Sequence, residues 1–146
     1  MSEIFKIENI ITDCKSCHYL DVIRRCGELL VAEGYVTHRY IDGMLARDRS
    51  FSTAIGNMIA IPHGENEYKR EILKTGLVIL TYPDGITWGD QTVKLVIGIA
   101  AKGNTHLSIL ERIADMFGDE EAVEQFVSNT GPDDIYRIFA FQEITS

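Results

Sequence analysis

The spacing of apolar residues changes twice along this chain, and that change limits its fold more than any other feature. Up to Leu45 the apolar side chains recur every three or four residues; between Asn57 and Ala101 they come in unbroken runs; from Leu107 onward the helical spacing returns. Helices, then strands, then helices imply an α/β fold, in which a small sheet is layered with helices.

The helical parts carry their own punctuation. A first helix is expected to start between Ser16 and Tyr19 and to end near Glu33, with Tyr19, Val22, Ile23, Cys26, Leu29 and Leu30 on its buried face and Gly34 as its stop. Thr37 can cap a second helix that buries Tyr40, Ile41, Met44 and Leu45 and places Arg47 and Arg49 in its last turn, where positive charge suits the helix dipole. Asn104 or Thr105 can cap a third helix ending at Gly118; Asp119 opens a fourth, and Gly131-Pro132 opens a fifth.

Between them, residues 57–61 read as a short strand ended by Pro62, and Leu77-Val78-Ile79-Leu80 as a buried strand. Tyr82-Pro83-Asp84-Gly85 has the residues of a turn, with Ile86 and Trp88 alternating beyond it as in a hairpin. Residues 93–101 are the most apolar stretch and are expected to be a central strand. A hairpin combined with separated strands predicts a mixed sheet. No Pro-rich linker divides the chain, so residues 1–146 are expected to form one domain.

Charge narrows the function. The 22 acidic against 14 basic residues give a net charge of −8, without a basic stripe. That balance argues against nucleic acid as a ligand and against docking on an anionic membrane. No apolar run approaches the ~20 residues of a membrane span. The N-terminus lacks the plan of a signal peptide, and three cysteines are an odd number for a disulfide framework, so reducing cytoplasm is the expected compartment.

The sharpest local feature is Ile59-Ala60-Ile61-Pro62-His63-Gly64. Pro62 fixes its own φ and holds Ile61 extended, while Gly64 leaves room for another molecule to approach the backbone. His63 thus stands on a fixed platform at the end of a strand, largely neutral and nucleophilic at pH 7. The same context also fits a turn histidine without a chemical role. His106 falls in the first turn of the third helix, where free N–H groups favour an anion, and could donate a hydrogen bond to phosphate. Arg47 offers a permanent charge and a planar fork that grips two phosphate oxygens. Read alone, His106 is also a polar first-turn residue and Arg47 a solvated helix-end charge.

Cys14-Lys15-Ser16-Cys17-His18 matches the C-x-x-C-H haem-attachment pattern, and a zinc site from Cys14, Cys17, His18 and Cys26 can be written. Both are set aside: the haem pattern belongs to exported chains, and Cys26 lies on the apolar helix face. No metal and no cofactor are expected. The chain contains no G-x-x-x-x-G-K-[ST], G-x-G-x-x-G or G-x-S-x-G sequence.

Taken in order, Gly34-Tyr35-Val36, Tyr40 through Asp48, Ile59 through Gly64, Leu73-Lys74-Thr75-Gly76, Tyr82-Pro83-Asp84-Gly85 and Leu95 through Ala101 resemble a known family. It is the enzyme IIA component of the bacterial phosphoenolpyruvate-dependent sugar phosphotransferase system, mannitol/fructose type, closest to the mannitol branch. The resemblance spans about residues 4–139. It implies that His63 accepts a phosphoryl group from the phosphocarrier HPr and passes it to a cysteine of the IIB component, with His106 and Arg47 as the other active-site positions. It also implies a mixed sheet flanked by helices, and a mechanism that needs no metal or nucleotide; a monomer in solution is expected. The alternative within the same resemblance is a regulatory IIA-like protein, phosphorylated on His63, that acts by binding partners. A shallow apolar rim around His63, with Ile61 or Ile55 in it, is expected in either case.

Overall fold

The computed structural model describes residues 5–103 and 105–144, with side chains except at 105–107 and 140–144. Its five strands are β1 (Ile10–Ile11), β2 (Ala54–Gly56), β3 (Ile59–Ala60), β4 (Gly76–Trp88) and β5 (Gln91–Ala100). They form one sheet in the order β1-β4-β5-β3-β2. The sheet is mixed: β1 runs parallel to β4 and β3 parallel to β5, while β4–β5 and β2–β3 are antiparallel. The helices are α1 (Tyr19–Ala32), α2 (Tyr40–Ser50), α3 (Thr105–Met116), α4 (Glu120–Asn129) and α5 (Pro132–Ile144).

Alternation along the central strands explains their unbroken apolar runs. Val78, Leu80, Val96 and Ala100 pack with Val22, Ile23, Cys26 and Leu30 of α1 and Met44 of α2. Leu77, Ile79, Leu95, Ile97 and Ile99 face the other way, onto Ile113, Phe117, Val123, Phe126, Ile135 and Phe139 of the C-terminal helices and the loop after α3. A strand covered on both faces needs no polar residue, so it reads as continuous hydrophobicity. Gly98 lets α1 sit close: a Cβ there would lie 2.8 Å from Val78 Cγ2 and 3.1 Å from Cys26 Cβ.

Several helix boundaries follow their sequence signals. Gly34 takes φ +82° after α1, and the Tyr35 N–H returns to the Leu30 carbonyl at 2.9 Å. Asp119 caps α4 by accepting the Ala122 N–H at 2.8 Å. Pro132 is the first residue of α5. The expected cap at Asn104 lies outside the described residues.

Two expectations are corrected. Thr37 does not cap α2: its hydroxyl is hydrogen-bonded to the Glu71 carboxylate, and its backbone N–H donates to the Glu71 carbonyl at 2.9 Å. The threonine is drawn sideways to a neighbouring segment, and α2 follows Arg39 without a side-chain cap. Tyr82-Pro83-Asp84-Gly85 is not the hairpin turn but an irregularity inside β4, where the pairing slips between Thr81 and Ile86. Gly85 supplies φ +85° there, and the reversal is made by Gly89-Asp90, between the paired Trp88 and Gln91. Pro83 has no N–H for the ladder, so a segment excluded from pairing suits it as well as a turn does.

Candidate functional site

The His63 segment is built at the C-terminal end of the parallel pair β3/β5, the side of an α/β sheet where sites tend to form. The Ile61 N–H donates to the Thr53 carbonyl at 2.9 Å, and the Pro62 carbonyl accepts the Ile99 N–H at 2.9 Å, so the chain stays tied to the sheet up to the histidine. The His63 ring is half-buried, with Nδ1 2.8 Å from the Ile61 carbonyl oxygen. A carbonyl can only accept, so Nδ1 carries a hydrogen, and in the neutral ring the lone pair is then on Nε2.

Gly64 lines the cleft, where the backbone can be approached as expected, and it has a second reason as well. A Cβ there would stand 2.6 Å from Cε1 of Tyr40, so it is this protein's own tyrosine ring that fills the space beside the glycine. The Gly64 N–H donates to the Tyr40 hydroxyl at 2.8 Å, and that hydroxyl donates to the Ile99 carbonyl at 3.1 Å. Burial pushes the Tyr40 phenol from its ordinary 10.0 up to about 12, so it stays a neutral donor at physiological pH.

Arg47 and His63 line the same cleft, with Tyr40, Glu65, Lys69 and Ile99 among its other walls. They also share the adjoining hollow bounded by Phe51, Ile55, Gln91 and Leu110. Arg47 is half-buried as a residue; its guanidinium hydrogen-bonds the Phe51 carbonyl and lies 5.6 Å from the Phe51 ring centroid. The structure thus brings two of the three candidates to one opening. His106 belongs to the first turn of α3, but its side chain is outside the described residues. Leu110, four positions further along the same helix and so on the same face, lines the hollow.

The apolar rim carries Ile55, one of the two residues expected there, with Phe51 beside it. Ile61 is 2% exposed and belongs to the core, whereas Ile55 is 58% and Phe51 74% exposed. Phe51 had no signal in the sequence, because it lies just past the end of α2, outside any periodic pattern. Asp48 was missed as well. It is buried, and its Oδ2 accepts from Thr53 N (2.9 Å), Thr53 Oγ1 (2.6 Å) and Trp88 Nε1 (3.1 Å), which fixes the loop carrying Phe51.

The cysteine motif resolves into structural parts. His18 is the N-cap of α1, its Nδ1 accepting the Leu20 N–H at 3.2 Å. Cys14 and Cys26 are buried in the α1 layer, and Cys17 is exposed. Desolvation raises the pKa of all three thiols, which disfavours thiolate chemistry. Among the described residues, no helix is long and apolar enough to cross a membrane.

The chain and its fold have known counterparts. Residues 3–141 match the family model described as phosphoenolpyruvate-dependent sugar phosphotransferase system, EIIA 2. The mannitol-specific phosphotransferase enzyme IIA component of Staphylococcus aureus (strain Mu50) is 38% identical over 139 residues, covering 95% of this chain and 96% of that one. The component of the same name from Bacillus subtilis (strain 168) is 42% identical over 120 residues, covering 82% and 84%. Among solved structures, enzyme IIA for mannitol from Escherichia coli, in complex with phosphorylated enzyme IIB, superposes with a TM-score of 0.85 at 35% identity, covering 93% of this chain and 96% of that one. The nitrogen regulatory protein IIA-Ntr of Neisseria meningitidis shares the fold at 20% identity, with a TM-score of 0.79 over 93% of this chain and 96% of that one.

Proposed function

This chain belongs to the EIIA 2 family of the phosphoenolpyruvate-dependent sugar phosphotransferase system, and we propose that His63 Nε2 is the atom that carries its phosphoryl group. The observation that supports this most is the Nδ1 hydrogen bond to the Ile61 carbonyl, which presents Nε2 as the nucleophile.

The family activity is phosphoryl transfer between proteins. The Nε2 lone pair attacks the phosphorus of the phosphohistidine on HPr in line. A new N–P bond forms as the one on HPr breaks, and the electron pair of that bond returns to the HPr imidazole. Positioning and charge stabilisation carry such a step. Arg47 lies at the mouth of the same cleft and supplies positive charge toward the equatorial oxygens. His106, at the start of α3, is assigned the hydrogen bond to the phosphoryl group. A cysteine thiolate of the IIB component then attacks the same phosphorus and returns Nε2 to its neutral state. Mannitol is the sugar favoured by the relatives' names, and the cytoplasm is the compartment in which the two partners would be met.

The test is intact mass after incubation with phosphoenolpyruvate, enzyme I and HPr, beside His63→Ala. One added phosphoryl group, lost in acid and absent from the variant, is expected; labelling retained by His63→Ala removes the assignment. A regulatory role separates at the next step, because a regulator passes its phosphoryl group to a IIB cysteine poorly. The likeness to the mannitol components favours transport over that reading, since the fold alone is common to both.

A further inference from the structure

We infer that Tyr40 is the positioning residue that holds the His63 segment in place against the helix bearing Arg47; this rests on the assignment of His63 and Arg47 given above. Tyr40 opens α2 and Arg47 lies seven residues on, two turns along the same face. Between them, Gly43 accepts the Glu65 N–H through its carbonyl at 3.3 Å. One face of α2 therefore meets the backbone on the C-terminal side of His63 while it carries Arg47 into the cleft that His63 lines.

The Tyr40 hydroxyl closes this arrangement. It accepts from Gly64, next to the histidine, and donates to Ile99 on β5, so one oxygen joins helix, site segment and strand. Tyr40 is 2% exposed, so water does not replace that oxygen readily. Its ring would still fill the space beneath Gly64 without the hydroxyl. Tyr40→Phe thus removes the tie and keeps the packing. The imidazole is held through Nδ1 to Ile61 on one side of His63, and the Gly64 tie is its counterpart on the other. Loss of that tie lets the ring turn away from the Arg47 side without exposing the core.

The experiment is a double-mutant cycle on phosphoryl transfer from phosphorylated HPr, using the whole chain as wild type, Tyr40→Phe, Arg47→Ala and both together. Tyr40→Phe is expected to lower kcat about ten-fold with KM for phosphorylated HPr changed less than about twofold, the pattern of lost alignment rather than lost docking. In the Arg47→Ala background the same change is expected to cost less than about threefold, because there is no longer a guanidinium to align. An equal loss in both backgrounds, or wild-type kcat in folded Tyr40→Phe, overturns the inference. If Tyr40→Phe does not fold, Gly64→Ala presses on the same ring and must show the same non-additivity.

A second readout needs no transfer. The nitrogen chemical shifts of the His63 ring in unphosphorylated protein are expected to show less Nδ1–H tautomer in Tyr40→Phe; a merely structural tyrosine would lower Tm and leave them unchanged. A wild-type chain that takes no phosphoryl group would overturn the assignment of His63 itself, and the ring shifts would still judge Tyr40.

Discussion

Asp48 on α2 accepts the indole N–H of Trp88, at the far end of β4, across 3.1 Å. Both residues are buried, at 8% and 1% exposure, so a single carboxylate oxygen links the helix that carries Arg47 to the end of the longest strand. The same oxygen takes both the N–H and the hydroxyl of Thr53, which pins residues 48–53 as a unit.

Asp48→Ala leaves the Trp88 and Thr53 donors unpaired. A loss of about 2–3 kcal/mol is expected, against about 1 kcal/mol for Trp88→Phe, which removes one donor and keeps most of the ring volume. Urea unfolding measures both. Stability within half a kcal/mol of wild type in Asp48→Ala would show that these bonds contribute little.

Arg47→Lys keeps the charge and loses the planar fork, together with the guanidinium placed over the Phe51 ring. Phosphoryl transfer to His63 is expected to slow about ten-fold, roughly 1.4 kcal/mol of barrier, with folding unchanged. Rapid-quench labelling from phosphorylated HPr reads the rate. A wild-type rate would make Arg47 a bystander at the cleft.

Phe51→Ser removes an exposed ring that bounds the hollow beside His63. Because the side chain is 74% exposed, Tm is expected to stay within about 2 °C, while KM for the partner proteins rises about five-fold or more. An unchanged KM would place the docking surface elsewhere.

Alkaline stability should report on Tyr40. Burial holds its phenol protonated up to about pH 12, whereas an unfolded tyrosine loses that proton near pH 10. Unfolding therefore releases a proton in that window, and stability falls as pH rises from about 10 to 12 while being fully present below it. Burial also raises the Tyr82 phenol and the Cys26 thiol, so the total slope is steeper than one proton's worth. Tyr40→Phe is expected to flatten it by one proton, about 1.4 kcal/mol per pH unit. An unchanged slope would mean that the Tyr40 phenol ionises in the folded state as readily as in the unfolded chain.

The legibility of this chain follows the range of the forces involved. The five helices and the central strands were visible because burial repeats along them, as in the two-faced run of Leu95, Val96, Ile97 and Ile99. β1 and β2 were not, since strands of two and three residues contain no period to detect. The tight connection from β2 to β3 is made by Asn57 and Met58, both at positive φ, and a methionine carries no signal for that conformation. Thr37 reads as a cap in sequence because a local cap and a bond to Glu71, 34 residues away, ask for the same side chain. At the site, His63 stood out through its rigid proline and small glycine. Asp48 and the bridging role of Tyr40 were hidden, because both act on partners distant in sequence.

The acceptor chosen for Nδ1 has a consequence for energy flow. Were that partner a carboxylate, the imidazolium of the proposed transfer to Nε2 would settle into an ion pair, and the group would be hard to surrender. The Ile61 carbonyl is neutral: it orients the ring yet deepens the well little. A relay between two protein partners benefits from such a shallow intermediate, which can be discharged in either direction according to which partner is empty.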